Sequence, residues 1–405
     1  MESISPEDLA LELLNQCLRG NDYSPELLEA LLRLALSEDP VTAARATRAL
    51  FRTVAEKLAD LFEPCLCDCY AALFSEAIAY ALPRYRKREL LERYRRVRQP
   101  REFGQTRDPK RVFILSRVTL GADIAITSIL LAAAMRRFPR AELYFAGSAK
   151  NYELFRAESR IRHLPVPYAR DGALESRLAV LPALMEAFSG PDAIVIDPDS
   201  RLTQLGLLPV CAEENYYFFE SRAYGGYGSG TLSALTSDWA RRTFGVEDAH
   251  PFLAPHADAG REDITVSLGV GENPAKRIAG SFERDLVSVL TSTGRGVLVD
   301  RGGSEEESGR VDAAVKGFAN VRTFTGSFPA FAAAIANSSF YCGYDSAGQH
   351  AAAASGVRLA TIFAGAPCSR FAGRWKAEGR AESIQIPADI LSPDNILNRI
   401  REMLS

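Results

Sequence analysis

The first hundred residues place apolar side chains with helical spacing. The segments LALELLNQCL and LLEALLRLAL include leucines three and four residues apart, and each follows a Ser-Pro-Glu start, at Ser5 and at Ser24. A serine before proline and glutamate is typical of a helix N-terminus, because the hydroxyl caps free amides and the carboxylate faces the positive end of the helix. The pattern predicts further helices from Val41 to Phe62 and from Cys67 to Ala81. Residues 1–103 are therefore predicted to form an all-helical N-terminal domain.

After Pro109 the pattern changes to short apolar runs that alternate with amphipathic segments. A first series has the runs KRVFILSRV, AELYFAG, IRHLPVP and DAIVIDP, and a second series begins near Asp263 with DITVSLGVG, GVLVDRGG, VRTFTG, SSFYCGY and VRLATIFAG. Strands that alternate with helices are the signature of parallel sheets with crossover helices. The fold class predicted is α/β, with two Rossmann-like doubly wound domains, residues 104–258 and 259–405, that face each other across a cleft. The aromatic stretch from Glu214 to Gly230 predicts a loop.

Ligands of doubly wound folds bind at the carboxyl ends of the strands, so the polar residues that follow strands are candidates for function. Lys276 follows the run ITVSLGV, where its ammonium group can reach the cleft. In YDSAGQHAAAASG, the residues Ser346, Ala347 and Gly348 open a helix whose free amides predict an anion site, with His350 as an additional donor. Asp345 is expected to orient this turn, because a carboxylate would repel a phosphate.

Composition and charge narrow the function classes. The 405 residues carry a net charge of −3, which gives no general reason to expect nucleic-acid binding. No apolar run reaches the roughly 20 residues that a spanning helix needs, and the amino terminus is acidic where a signal peptide is basic. The chain is expected in the cytoplasm, with at most peripheral contact at the inner membrane.

Three of the seven cysteines, Cys65, Cys67 and Cys69, are clustered in a predicted helix. Their alternate spacing directs them to different sides of the helix, whereas zinc ligands usually come in pairs two to four residues apart with a second pair downstream. Reduced, unliganded thiols and no metal site are therefore predicted.

The segment from Arg84 to Glu102, RYRKRELLERYRRVRQPRE, is strongly basic. It is interpreted first as a solvated helix that links two domains. The alternative is a surface, Arg84 to Arg101, that contacts anionic lipid or another acidic partner.

Four motifs in the two α/β series resemble a known family by their order and spacing. They are ILSRVTLGADIAITSILLAAAMRRFP, NPAKR from Asn273 to Arg277, DRGGSEEE from Asp300 to Glu307, and GYDSAGQHAAAASG. Residues 110–405 resemble glycosyltransferases of the ADP-heptose:lipopolysaccharide heptosyltransferase type, which form glycosyltransferase family 9 and have the two-Rossmann-domain GT-B fold. The first hundred residues have no part in this resemblance.

The resemblance implies an inverting transfer of a sugar, with heptose expected, from a nucleoside diphosphate such as ADP to a hydroxyl of a glycan, lipid-linked or protein acceptor. Asp123 would be the general base, and Lys276 would bind the diphosphate together with residues 346–348 and His350. Glu305, after Gly303, would bind the ribose, although Glu306 and Glu307 leave its register open. The donor is a substrate, and neither a cofactor nor a metal ion is expected. Asp197 and Asp199, which end another strand of the first unit, are the fallback candidates for the base or for contact with the acceptor. Thr127 could contact the diphosphate or the acceptor, and Arg201 is a further candidate acceptor contact.

Two departures from the family pattern and several structural alternatives stay open. Ala122 separates Gly121 from Asp123, which predicts a turn one residue longer, and Ala347 stands where the family has glycine. Asp123 could instead cap its helix, and His350 could be a packed histidine bonded to a carbonyl. Lys276 could belong to a surface pair, and Glu305 could be an ordinary acid in a first helical turn.

At the level of the whole chain, a sugar-nucleotide epimerase or hydrolase, or a catalytically degenerate scaffold, are the alternative functions. The helical domain could dock a protein acceptor, form an oligomer or bring the protein to a membrane, and the sequence does not choose among these roles.

Overall fold

The computed structural model describes residues 4–20, 22–104, 108–168, 173–255, 260–271 and 273–404. The predicted boundary between residues 258 and 259 lies outside these ranges. The division of the chain into three domains therefore stays a prediction.

Every element described between Pro6 and Val97 is helical. Ser24 Oγ accepts a hydrogen bond from the amide of Leu27, and Ser5 Oγ accepts one from the amide of Asp8, so both Ser-Pro-Glu starts cap helices as predicted. The helix predicted from Val41 to Phe62 contains a π-helical stretch, Ala49–Ala55. The helices are α1 (Pro6–Gly20), α2 (Pro25–Ala35), α3 (Pro40–Arg48), α4 (Glu56–Asp60), α5 (Pro64–Ala81) and α6 (Lys87–Val97).

The first α/β series forms a five-stranded sheet in the order β3-β2-β1-β4-β5, and all its strands are parallel. Its interior strand β4 is buried at every position, as expected for a strand covered on both faces. The strands are β1 (Arg111–Leu115), β2 (Glu142–Gly147), β3 (Ile161–Pro165), β4 (Ala193–Asp197) and β5 (Tyr216–Phe218). The helices are α7 (Leu120–Ala122), α8 (Ser128–Arg137), α9 (Ala149–Tyr152), α10 (Leu174–Leu178), α11 (Leu181–Ala187) and α12 (Leu232–Phe244).

The loop prediction for Glu214 to Gly230 is wrong at its start, because β5 extends the sheet there. A strand of three residues is too short to show the alternation of apolar and polar positions that predicts a strand. This aromatic segment becomes a strand because it pairs with β4.

The second series forms a six-stranded parallel sheet in the order β11-β10-β9-β6-β7-β8. Its strands are β6 (Glu262–Ser267), β7 (Val297–Asp300), β8 (Val321–Phe324), β9 (Ser338–Tyr344), β10 (Arg358–Phe363) and β11 (Ser383–Pro387). Its helices are α13 (Phe282–Thr291), α14 (Glu305–Val315), α15 (Phe328–Ala336), α16 (Ala347–Ala354), α17 (Ser369–Trp375) and α18 (Pro393–Leu404). The sequence pattern did not identify β11 or α17.

Three apolar cores hold these layers together. In the first core, leucines of α1, α2 and α5 pack with one face of the first sheet, including Phe113, Leu115 and Val195. The second core covers the opposite face of that sheet and continues into the second α/β unit through Ala351 and Ala352 of α16. The third core fills the second sheet and its outer helices. The helical region and the two sheets therefore share buried surface.

The basic segment is engaged within the molecule. Arg93 lies over the Tyr216 ring and donates to the carbonyl of Gly206, while Arg96 pairs with Glu213 at 2.6 Å. Arg98 pairs with the buried Glu220 at 2.8 Å. These contacts fasten α6 to the β5 edge of the sheet, and contact of this segment with a membrane stays a prediction. In the part of the chain that the structure describes, no helix combines the length and apolar character needed to cross a bilayer.

Candidate functional site

The residues predicted from the sequence follow the two neighbouring strands in each sheet at which the order of the strands reverses. In the first sheet, β1 and β4 lie side by side, and Asp123 and Asp197 come at or after their carboxyl ends. In the second sheet, β6 and β9 lie side by side, followed by Lys276 and by Asp345. Neighbouring strands whose crossovers run in opposite directions leave a crevice at their carboxyl ends, which is the usual ligand position in such folds.

Asp123 is fully buried and accepts four hydrogen bonds. Its Oδ1 accepts from the amide of Arg117 at 2.6 Å and from Thr127 Oγ1 at 2.7 Å. Its Oδ2 accepts from Ser116 Oγ and from Asn151 Nδ2, both at 2.6 Å. Burial is the largest influence on this carboxyl and raises its pKa, although the four donors oppose the shift. Thr119 stands at the N-cap position of α7, so the side chain of Asp123 does not cap the helix.

The helix that follows β1 changes its hydrogen-bonding pattern at Asp123. Residues Asp123–Thr127 form a π-helical turn between α7 and α8. A π turn holds one more residue than an α turn, and such turns are common at functional sites. Ala122 ends α7 directly before this π-helical turn, and hydrogen bonds from Ser116 and from the amide of Arg117 hold Asp123 at the end of β1.

The two α/β units are in contact at Gly121, just before this turn. A Cβ atom added to Gly121 would lie 3.3 Å from His350 Cδ2 and 3.4 Å from Ala347 Cα. Asp123, Asp345 and His350 are all buried. The crevice is therefore closed at this point in this structure.

Lys276 lies in a 3-10 turn, Pro274–Lys276, after β6. Its Nζ is 2.5 Å from Asp345 Oδ2 and 3.3 Å from the Asp345 carbonyl oxygen, and it lies 5.8 Å from the Phe371 ring centre. Gln349 Nε2 donates to the other carboxylate oxygen of Asp345 at 2.5 Å. Asp345 thus holds the lysine at the start of α16, whereas the sequence predicted only that Asp345 orients its own turn.

The start of α16 is built on close packing. Ser346 is its N-cap and makes no side-chain cap hydrogen bond, while Ala347 is its first residue. A Cβ atom on Gly348 would lie 2.2 Å from the Tyr341 hydroxyl, so this glycine makes room for a buried tyrosine of β9. Gly348 was predicted to belong to the anion site that opens this helix, and the packing of Tyr341 is a separate reason for a glycine here.

His350 is a neutral group in this setting. Its ring lies 5.7 Å from that of Trp375, and burial lowers its pKa to about 4, with Lys276 acting in the same direction and Asp345 against it. A neutral imidazole can donate one N–H to an oxygen but brings no positive charge.

A pH dependence of stability follows from His350. Because the ordinary pKa of 6.5 is lowered in the folded protein, the unfolded chain binds an extra proton between about pH 6.5 and 4. The folded protein should therefore lose up to about 3 kcal/mol as the pH falls through this window. Urea unfolding of the wild type and of His350→Gln from pH 7 to 4 measures the difference, in which the other titrating groups cancel. Parallel curves would contradict the prediction.

The glutamates after β7 are arranged differently from one another. Gly303 and Glu305 are exposed around the start of α14. The Glu306 carboxylate pairs with Arg277 at 3.1 Å. The Glu307 side chain turns back, so that its Oε2 accepts from the amide of Gly303 at 3.2 Å and its Oε1 would lie 2.5 Å from a Cβ on Gly269. Of the three, Glu307 reaches the ends of β6 and β7.

The residues considered as acceptor contacts belong to internal networks. Asp197 is buried, accepts from Ser200 N, Tyr216 Oη and Thr203 Oγ1, and has a pKa raised to about 6 by burial. Arg201 pairs with Glu56 of the helical region at 2.9 Å.

Asp199 forms a buried ion pair that sequence reasoning did not find. It has a left-handed φ of 71° and accepts two hydrogen bonds from Arg222, at 2.8 and 3.0 Å. Arg222 also lies over the Tyr70 ring at 4.6 Å, and Arg117 approaches Asp199 to 3.4 Å. Arg222 lies in the sequence interval predicted as a loop, so spacing gave no signal for the pair.

Within the described ranges, no group of three or more His, Cys, Asp or Glu side chains could hold a metal ion. All seven cysteines are free. A surface depression of about 700 Å³ lies beside Arg111 and Asp192, near the amino ends of β1 and β4 and on the opposite edge of the sheet from Asp123.

Solved glycosyltransferase structures are similar to this chain. E. coli heptosyltransferase WaaC with ADP matches with a TM-score of 0.55 at 16% identity, over 73% of this chain and 100% of that chain. A glycosyl transferase family 9 protein from Veillonella parvula DSM 2008 matches with a TM-score of 0.54 at 15% identity, over 73% and 97% of the two chains. E. coli ADP-heptose lps heptosyltransferase II matches with a TM-score of 0.52 at 16% identity, over 73% and 98%.

A scan against models of protein families and a search of curated proteins each gave no match. At identities this low, the structural likeness establishes the fold. The chain has the two-domain fold of heptosyltransferase-like, family 9 glycosyltransferases, as the resemblance implied. About a quarter of the chain, a share similar to that of residues 1–103, has no counterpart in the WaaC structure.

Proposed function

We propose that this protein is an inverting glycosyltransferase that moves a sugar from a nucleoside diphosphate to a hydroxyl of a glycan, lipid-linked or protein acceptor. The observation that carries the proposal is the contact of Gly121, two residues before Asp123, with Ala347 and His350 of α16, beside which Asp345 holds Lys276. Heptose carried on ADP is the expected donor, and the solved WaaC structure was obtained with ADP.

The donor half of the reaction needs a positive environment for the departing diphosphate. Lys276 and the free amides at the start of α16 supply it without a metal ion. Asp345 keeps the ammonium group beside these amides, where a diphosphate oxygen would share it. His350, held neutral by burial, adds one N–H donor, and Glu307 or Glu305 accepts from the ribose hydroxyls.

The acceptor half needs a base that removes the hydroxyl proton as it attacks the anomeric carbon. Burial makes Asp123 a stronger base, which favours proton transfer. Two of its four donors are the hydroxyls of Ser116 and Thr127, which can rotate and release a lone pair. Opening of the contact between Gly121 and His350 would then admit the acceptor to this carboxylate.

Calorimetric titration with ADP, and with UDP, GDP and CDP for comparison, tests the donor site. Wild-type protein should bind one of them equally well with EDTA and with Mg²⁺. Lys276→Ala should weaken binding by about 10- to 100-fold, because a charge-assisted hydrogen bond contributes about 1.5–3 kcal/mol. Lys316→Ala, at an exposed lysine of the same unit, is the matched control and should bind as the wild type does.

A scaffold without activity is the second candidate, and the closed crevice with a fully hydrogen-bonded Asp123 favours it. In that case none of the four nucleotides binds, and Lys276→Ala behaves like Lys316→Ala. That pair of results would exclude the transferase. Binding that requires Mg²⁺ would exclude metal-independent transfer.

A further inference from the structure

The turn between α4 and α5 brings a phenylalanine of the helical region into the crevice. Phe62 is 3% exposed and has a left-handed φ of 53°. A residue other than glycine rarely adopts this conformation, since its Cβ is crowded there, and surrounding contacts must hold it in place. It belongs to the second core, which joins the two α/β units, whereas most of the helical region belongs to the first core.

The contacts that hold Phe62 are two aromatic rings of α17 in the second unit. The Phe62 ring centre lies 6.2 Å from that of Phe371 and 6.5 Å from that of Trp375, and the latter two are 6.3 Å apart. The three rings form a nearly equilateral triangle. Such tilted and edge-to-face arrangements are favourable for aromatic side chains.

The triangle touches both candidate donor-binding side chains. Phe371 lies 5.8 Å from Lys276 Nζ, which is within cation–π distance. Trp375 lies edge-to-face against His350 at 5.7 Å. Each ring of α17 thus contacts Phe62 on one side and a candidate phosphate-binding residue on the other.

Charged groups fix the same turn between the two units. Glu56 of α4 pairs with Arg201 after β4. Asp60 lies in the field of both Arg201 and Lys276, and burial still raises its pKa to about 6. The turn is therefore anchored on the first unit by Glu56 and on the second unit by the ring of Phe62.

We propose that Phe62 is a positioning residue of the donor site, which rests on the proposed function. The helix α17 has only seven residues, so its place depends on the side chains packed against it. Without the Phe62 ring, Phe371 and Trp375 lose one wall of their packing, and the two rings that Lys276 and His350 contact are held less firmly. The helical region then completes the donor site of a fold whose solved relatives lack a counterpart to a quarter of this chain.

The test uses the full chain and calorimetric titration with ADP. Phe62→Gly removes the ring while relieving the left-handed backbone, and it should weaken ADP binding by about tenfold. Phe62→Leu restores an apolar side chain and should bind within about threefold of the wild type. Phe51→Ala is the matched control, since Phe51 is a buried ring of the first core against Phe74, and its ADP affinity should equal that of the wild type.

Four outcomes overturn the proposal. Wild-type affinity in Phe62→Gly would show that the ring serves stability alone, and tighter binding would show that it blocks entry. If Phe62→Gly does not fold, Phe371→Leu probes the triangle from the donor side, and wild-type affinity in that variant overturns the proposal too. Wild-type protein that binds no nucleotide overturns the proposed function as well, which separates the two failures.

Discussion

Replacing Asp123 by asparagine is expected to lower sugar transfer by about 10²- to 10⁴-fold, the range that general-base catalysis typically contributes. The carboxylate is the proposed proton acceptor, and an amide of the same shape cannot take the proton. ADP binding should remain within about threefold of the wild type, because the donor contacts come from the other unit. Release of ADP from the sugar donor in the presence of the acceptor measures the rate of sugar transfer, and calorimetry measures the affinity for ADP.

The same variant has a structural cost that must be measured beside the activity. All four partners of Asp123 donate hydrogen bonds, so the amide NH₂ of asparagine would face donors. We expect a loss of about 1–3 kcal/mol in the free energy of unfolding. Thr127→Val, which removes one donor and keeps the carboxylate, is the matched control and should retain most of the turnover. Full turnover in Asp123→Asn would show that the base is another group.

Replacing Arg222 by leucine is expected to cost about 3–5 kcal/mol in the free energy of unfolding, the range found when one partner of a buried ion pair is removed. Asp199 would be left in the interior, and its other cation, Arg117, is 3.4 Å away at its nearest. The contact with the Tyr70 ring, which ties the helical region to the first sheet, would also be lost. Urea unfolding at neutral pH measures the effect.

An exposed ion pair provides the control for Arg222→Leu. Arg33 and Glu29 lie 2.9 Å apart on α2, and their side chains are 71% and 53% exposed. Arg33→Leu should change the free energy of unfolding by only about 0.5 kcal/mol, since solvent screens such pairs. Equal losses in the two variants would contradict the importance assigned to burial of the Asp199 pair.

The sequence predicted the parts of the fold that repeat a local pattern. The caps at Ser5 and Ser24 could be predicted because capping depends only on residues that are neighbours in the sequence. The alternation of strands and helices correctly predicted two parallel sheets, and the strand-end rule then placed Asp123, Lys276 and Asp345 at facing edges. The family resemblance predicted the same fold, which the solved structures confirm.

The parts that the sequence could not predict depend on contacts between distant segments. Whether Lys276 pairs with Asp345 depends on how the turn after β6 meets the turn after β9, sixty-nine residues later. Phe62 offers no local signal, because its conformation is held by α17, three hundred residues away. The direction of the Glu307 side chain depends on Gly302, because a Cβ atom there would lie 2.0 Å from Glu307 Cδ.

The shared first core has a consequence for how the protein is made. When residues 1–103 leave the ribosome, the apolar face of their helices is still uncovered. The sheet residues that cover it, among them Phe113, Leu115 and Val195, are synthesised later. The last strand of that sheet ends at Phe218, so more than half the chain must emerge before this core is complete. Until then the apolar face of the nascent helices stays exposed, and chaperones that bind apolar surface can bind it.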